Sequence, residues 1–209
     1  EGIMGRIDPE NRVFLDIFAG TGIVGWHFKQ KGFRIVANDI QYYAYCLNQA
    51  RVGVNRPLEF SGILKELKVT QKALFYDAVD VVLEYLNGLK GKSGFIYRNY
   101  CPTRTTNSEF KRQYFSNGNG RRCDAVRMQI EAWREAGKLT EDEYFYLLAS
   151  LIDAADKVAN TASVYGAFLK HIKKSAMKPL RLERLPIVES DVKHEIHNCE
   201  GSLLVRDTP

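Results

Sequence analysis

Apolar and polar positions follow two rhythms along this chain. Near the start, Val13-Phe14-Leu15 and Phe33-Arg34-Ile35-Val36-Ala37 are short apolar runs, which predict buried strands over 13–18 and 33–37. Residues 22–31 and 40–52 carry apolar positions at helical spacing, the first halted by Gly32, so the opening predicts a βαβα unit. The pattern then turns helical. Leu74, Phe75, Val79, Val82, Leu83 and Leu86 predict a helix over 70–86 that stops at Gly88. Asp124 is placed to cap a helix through Glu135, and Thr140 with Glu143 forms a capping-box pattern for another reaching Ala159. Between them, Phe95-Ile96-Tyr97 predicts a short strand, and 99–119 is polar, basic and aromatic without a clear period. Strands are expected again over 185–188 and 195–199. The division that follows is a first part of an α/β core over 1–60, a mainly helical insertion over 61–182, and a return to the core sheet over 183–209.

Composition narrows the classes. With 209 residues, 45% hydrophobic and 26% charged, the chain suits one domain with a large insertion or two small ones. No apolar run approaches the roughly 18 residues that span a membrane, and no secretory signal opens the chain. Cys46, Cys101, Cys123 and Cys199 lie far apart without a C-x-x-C pair, and His27, His171, His194 and His197 show no ligand spacing. No metal is expected, and a reduced cytoplasm is the simplest setting. The net charge of +5 is compatible with nucleic acid without requiring it.

The sharpest chemistry lies in DIFAGTGIVG, residues 16–25. Gly20, Gly22 and Gly25 have the G-x-G-x-x-G spacing of a nucleotide-binding turn between a strand and a helix, where main-chain N–H groups approach a ligand closely. A dinucleotide reading would use Asp39, after the second strand, for ribose hydroxyls. Asp16 is awkward in that reading, because a carboxylate near a pyrophosphate costs roughly 1–4 kcal/mol. S-adenosylmethionine carries an ammonium and a sulfonium and no phosphate, so the same carboxylate attracts it. An acidic strand end joined to Phe18-x-Gly20-x-Gly22 therefore favours the methyl donor.

These residues also carry a resemblance. FLDIFAGTGIVGWHF followed by GFRIVANDI resembles motifs I and II of adenine-specific DNA methyltransferases, and is most similar to the group with the FokI-type and Dam-type enzymes. FIYRNYCP, EFKRQYFSNGNGRRCDAVRMQIEAW and ANTASVYGAFLK resemble further blocks of FokI-like members, so the likeness runs from about Val13 to Leu204. It implies a Rossmann-like S-adenosylmethionine-dependent core. In it, Asp16, Gly20 and Gly22 would form the loop under the methionine half of the cofactor, Asp39 would accept from its ribose, Ile40 would pack on its adenine, and Phe18 would be a further cofactor-binding residue. HEIHNCEGSLL resembles the third motif, with Glu200 where the family carries an aspartate. The competing role for Glu200 is a helix N-terminal acid favoured by the dipole.

The family's catalytic Asp/Asn-Pro-Pro-Tyr/Phe motif is absent from these 209 residues, and LLVRDTP offers Asp207 and Pro209 without the remaining parts. No catalytic residue is assigned. EGIMGRIDPENR does not match the motif that family members carry ahead of the first strand, so the chain reads as a segment of a longer enzyme, inactive alone. Double-stranded DNA is the expected partner, together with a cognate restriction endonuclease. Arg98, Asn99, Arg104, Lys111, Arg112, Arg121 and Arg122, threaded with Tyr97, Tyr100, Tyr114 and Phe115, mix groups that contact phosphates, base edges and the gap left by a flipped base. Lys170, Lys173 and Lys174 begin a second basic stretch suited to phosphates. A solvated basic face is the plain alternative for both. An RNA methyltransferase, or a non-catalytic DNA-binding or specificity module, stays open beside the main reading.

Overall fold

The computed structural model describes residues 10–67, 77–105, 112–162, 169 and 171–207. Two compact units emerge, one built from the residues up to Pro57 with those from Leu185 onward, the other Leu58–Arg184.

The first unit is α/β. Its strands β1 (Val13–Asp16), β2 (Arg34–Asn38) and β3 (Glu195–His197) are all parallel, in the order β1-β2-β3. Val13 pairs with Arg34 and Asp16 with Ala37, while Val36 pairs with Glu195 and Asn38 with His197. Central β2 is buried on both faces, as its unbroken apolar run requires. Ile35 and Ala37 join Ala19, Phe33 and Val52 in a core that Phe14, Phe28 and Ile196 border. Phe14 stacks on Phe28 of α1 (Ile23–Gln30) with ring centroids 4.1 Å apart, a pairing worth about 1 kcal/mol beyond its burial. Strand β1 is less buried than its apolar run predicts, since Val13 and Leu15 remain 47% and 41% exposed. It is also shorter, because the main chain turns after Asp16.

The expected single helix over 40–52 divides in two. Helix α2 (Tyr42–Asn48) passes into a π-helical turn, Gln49–Gly53, closed by the Val54 N–H donating to the Gln49 carbonyl at 3.0 Å. Ahead of β3, buried His194 accepts the Ile35 N–H on Nδ1 at 3.1 Å. Burial, with Lys29 nearby, holds its imidazole pKa down at about 4. The structure has no strand over 185–188. Pro186 offers no N–H to a ladder there.

The second unit is helical: α3 (Ser61–Glu66), α4 (Ala78–Asn87), α5 (Phe95–Tyr100), α6 (Pro102–Thr105), α7 (Asn117–Glu135) and α8 (Glu141–Lys157). Trp133, Tyr146, Phe60, Ile63, Ile130 and Leu147 are among its fully buried side chains. The Thr140–Glu143 capping box is present at α8, and Glu143 also accepts the Phe60 N–H. Residues 68–76 of the expected 70–86 helix lie outside the described residues. From Ala78 on, α4 is capped by Asp77 and ends at Gly88.

Two expectations are corrected here. Phe95-Ile96-Tyr97 is helical, not a strand. Asp124 does not start α7, which begins seven residues earlier behind Ser116. Instead Asp124, buried within α7, accepts the Gly94, Ile96 and Tyr97 N–H groups at 2.9, 2.9 and 2.8 Å and so caps α5. Irregular chain is fixed by three buried asparagines. Asn87 pairs with both main-chain groups of Leu182, Asn119 bonds Ala176, Lys178 and Leu180, and Asn160 bonds Gln113, His171 and Lys173.

Candidate cofactor turn and basic face

The glycine turn joins β1 to α1. Gly20 and Gly22 adopt φ of +51° and +76°, the left-handed region that costs other residues energy. A Cβ at Gly20 would meet nothing within 4 Å, so this turn of the chain is open to a ligand. At Gly25 a Cβ would come within 3.3 Å of Ile35 and Val52, and glycine there lets α1 lie close on the sheet.

Two carboxylates face this region. Asp16 ends β1, half-buried, with Oδ1 accepting the Phe18 N–H at 3.4 Å. Burial pushes its pKa upward, and the charge of Asp39 adds to that. Asp39 follows β2; its Oδ2 accepts the Gly20 N–H and its Oδ1 the Gln41 N–H, each at 2.9 Å. Each oxygen keeps a further lone pair for a hydroxyl donor. Phe18 and Ile40, beside these acids in sequence, are 76% and 66% exposed, unusual for large apolar side chains. Glu200 is exposed, accepts from the Ser202 hydroxyl, and offers its carbonyl to the Leu203 N–H at the start of α9 (Gly201–Asp207). That position suits the helix-terminal role. A Cβ on Gly201 would lie 3.5 Å from the Phe18 ring. The arrangement offers negative charge at the turn and uncovered apolar surface next to Asp39.

Several contributors carry no signal in the sequence. Asn38 donates to the Ile17 and Cys199 carbonyls at 3.2 and 3.0 Å, and Asn198 donates to the Asp39 and Ile40 carbonyls at 2.7 and 3.1 Å. The buried Asn38 amide and the exposed Asn198 amide thus tie the three strand ends together. Asn48 donates to the Gly20 carbonyl at 3.1 Å.

The basic residues of the helical unit have unequal commitments. Arg98 is exposed, with Nε donating to the Gly94 carbonyl at 3.0 Å, and Asn99 donates to the Phe95 carbonyl. Arg112 lies over the Tyr100 ring, while Arg121 sits 4.3 Å above Tyr97 and donates to its hydroxyl. Arg122 points inward, to the Leu180 and Asn87 carbonyls at 3.1 and 2.5 Å. Arg104 belongs to α6, and Lys111 and Lys170 lie outside the described residues. Lys173 donates to the Thr161 carbonyl at 3.1 Å, and Lys174 is exposed. Farther along, Arg181 pairs with Glu84, and Arg184 with Asp77 and Asp80. Asn119, beside these basic residues in sequence, is buried and engaged with the Ala176, Lys178 and Leu180 main chain. Among the described residues no group of three or more His, Cys, Asp or Glu could hold a metal ion, and no helix is long and apolar enough to cross a membrane.

Comparison with known proteins gives a consistent result. The chain is 42% identical over 208 residues to the type II methyltransferase M.NlaIII of Neisseria lactamica, covering 95% of this chain and 56% of that protein. It is 32% identical over 202 residues to the modification methylase StsI of Streptococcus sanguinis, covering 95% and 28%. It is 30% identical over 205 residues to the type II methyltransferase M.FokI of Planomicrobium okeanokoites, covering 98% and 30%. The chain thus spans little more than half the length of the first relative and under a third of the other two. No solved structure matches it. The model of the D12 class N6 adenine-specific DNA methyltransferases matches residues 3–208. Motif resemblance, relatives and family model agree, and this chain belongs to the D12 class of N6 adenine-specific DNA methyltransferases.

Proposed function

We propose that this chain is the cofactor-binding and DNA-recognition part of a type II enzyme that methylates the exocyclic amine of adenine in double-stranded DNA, with S-adenosylmethionine as donor. The observation that carries the reading is the pair Asp16 and Asp39 around a left-handed glycine turn. The residues fit this cofactor. Asp16 supplies the negative charge an ammonium needs, in a partly buried place where that charge is costly until paired. Asp39 has acceptor capacity for ribose hydroxyls, Phe18 and Ile40 offer apolar surface to a flat base, and Gly20 leaves room for close approach. A pyrophosphate at this turn would meet the Asp16 carboxylate. A Rossmann-like arrangement of this core accords with the parallel sheet and with the turn that follows its first strand.

When bound, S-adenosylmethionine supplies a methyl group on a sulfonium sulfur. The part assigned to this chain is to hold and orient that donor. Asp16 fixes the cationic end, Asp39 the ribose, and the glycine turn sets how deeply the ligand sits. Arg98, Arg112 and Arg121, with the surrounding tyrosines, form the candidate DNA face, and Arg122 supports it from inside. A cognate restriction endonuclease and a cytoplasmic setting follow from a type II role on cellular DNA.

The test is calorimetric titration with S-adenosylhomocysteine and, separately, NADH, on the chain and on Asp16→Ala. Expected are binding of the first only and affinity at least about tenfold weaker in the variant. Binding of NADH, or an unchanged affinity in Asp16→Ala, overturns the reading.

A further inference from the structure

The end of α2 and the π-helical turn after it face the glycine turn with side chains whose roles the family likeness does not supply. Asn48 is 1% exposed. Its Nδ2 donates to the Ala44 carbonyl of its own helix at 2.9 Å and to the Gly20 carbonyl at 3.1 Å. Asp39 meanwhile holds the Gly20 N–H, so the two main-chain polar groups of one glycine are gripped by side chains from two elements. Arg51, three residues after Asn48, donates to the next carbonyl, that of Thr21. Gly22 rests directly on Asn48, because a Cβ there would come within 2.8 Å of Oδ1 and 3.1 Å of Cγ. Asn48 Oδ1 itself is buried with no hydrogen-bond partner. Turning the amide over would aim its oxygen at two carbonyls, so the observed orientation is fixed.

The π-turn is anchored in its own right. Lys29, buried at 2% exposure in α1, donates from Nζ to the Val52 and Val54 carbonyls at 2.8 and 2.6 Å. One ammonium thus terminates the π-turn and ties it to the helix that the glycine turn begins.

From this geometry we infer that the end of α2 and the π-turn after it form a clamp on the cofactor turn, with Asn48, the last residue of α2, as the main positioning residue and Arg51 of the π-turn as the second grip. The clamp sets Gly20 and Gly22 in the left-handed conformation before ligand arrives, so that binding does not have to order the turn. Asn48 touches no ligand atom and acts through the Gly20 carbonyl. The inference rests on the turn being the cofactor site, and its consequence for the free protein is independent of that reading.

The test uses Asn48→Leu, similar in volume and without the donor, and Arg51→Met, which removes the second grip from a partly exposed position. In the free proteins, amide hydrogen exchange at Gly20 is compared with that at Ile35 and Ala37. In titrations, S-adenosylhomocysteine affinity is measured for both variants beside the parent chain. Asn48→Leu is expected to lower Gly20 protection about tenfold while Ile35 and Ala37 keep theirs, and to weaken binding about tenfold. Arg51→Met should move both quantities the same way by about threefold. Protection at Gly20 within twofold of the parent in both variants overturns the clamp. So does unchanged affinity in Asn48→Leu where the parent binds. A parent chain that does not bind, yet loses Gly20 protection in Asn48→Leu, retains the clamp and rejects the cofactor reading.

Discussion

At the scale of single residues, the two acids do opposite work in the free protein. Asp39 is satisfied by main-chain donors and organises the turn, whereas Asp16 is held partly out of water beside another negative charge. Its raised pKa means that the folded chain binds its proton more tightly than the unfolded chain does. Between the ordinary value of 3.8 and the raised one, stability therefore falls as pH rises, and the penalty persists at neutral pH. Asp16→Asn should accordingly raise the melting temperature at pH 7, by about 1–3 °C for a chain of this size, with the gain vanishing near pH 3. The same substitution should weaken S-adenosylmethionine binding about ten- to a hundredfold. In the parent chain that affinity should decline as pH drops toward the Asp16 pKa, because only the carboxylate attracts the ammonium. Calorimetric scans at the two pH values, with titrations from pH 5 to 8, check the three signs together. A variant that is less stable at pH 7 would show that Asp16 serves the fold rather than a ligand.

At the scale of elements, the informative contrast is between caps that are local and caps that are remote. Thr140 and Glu143 are three residues apart, so the start of α8 is legible in the sequence. Asp124 lies 28 residues after Ile96, and nothing near Phe95-Ile96-Tyr97 announces a helix; aromatic and β-branched residues favour a strand until the two oxygens of the distant carboxylate accept three N–H groups. Urea unfolding should separate the two. Thr140→Ala is expected to cost about 1 kcal/mol, and Asp124→Ala about 3 kcal/mol or more, because it strands three buried or half-buried donors. Asp124→Asn, which keeps one oxygen, should fall between them. Equal costs for Asp124→Ala and Thr140→Ala would mean that water replaces the carboxylate and that α5 is not held by α7. The same distinction governs the candidate site. Positive φ at Gly20 and Gly22, and acids at strand ends, write themselves into local sequence; Asn38, Asn48 and Asn198 do not, since the site carbonyls they hold are 21 to 161 residues away. Residues 185–188 mislead for a related reason, an apolar run whose Pro186 cannot join a ladder.

At the scale of the whole molecule, a net charge of +5 says less than where the cations are committed. Lys157, Arg181 and Arg184 are paired with Glu183, Glu84, Asp77 and Asp80, and Arg122 spends its guanidinium on main-chain carbonyls. Arg98 and Lys174 instead present charge to solvent in the same helical unit. If this unit meets DNA through phosphates, each cation that neutralises one phosphate contributes about 0.9 to the slope of log affinity against log salt. Arg98→Ala and Lys174→Ala should each flatten that slope by about 0.9 for a contacted phosphate; Lys174→Ala should leave the unfolding midpoint unchanged, and Arg98→Ala should lower it slightly because the Gly94 carbonyl loses the Arg98 Nε–H. Arg184→Ala should leave the slope alone, its charge being already offset by two aspartates. Arg122→Ala should lower stability by about 1–3 kcal/mol, since two carbonyls lose their donor, and should weaken DNA binding only through that loss. Anisotropy of a labelled duplex from about 50 to about 300 mM potassium chloride, with log affinity linear in log salt, reads all four variants on one axis. A slope that falls for Arg184→Ala and not for Arg98→Ala would move the nucleic-acid face away from α5 and onto the ion-paired stretch. Slopes unchanged in every variant would remove phosphate contact from these four residues altogether.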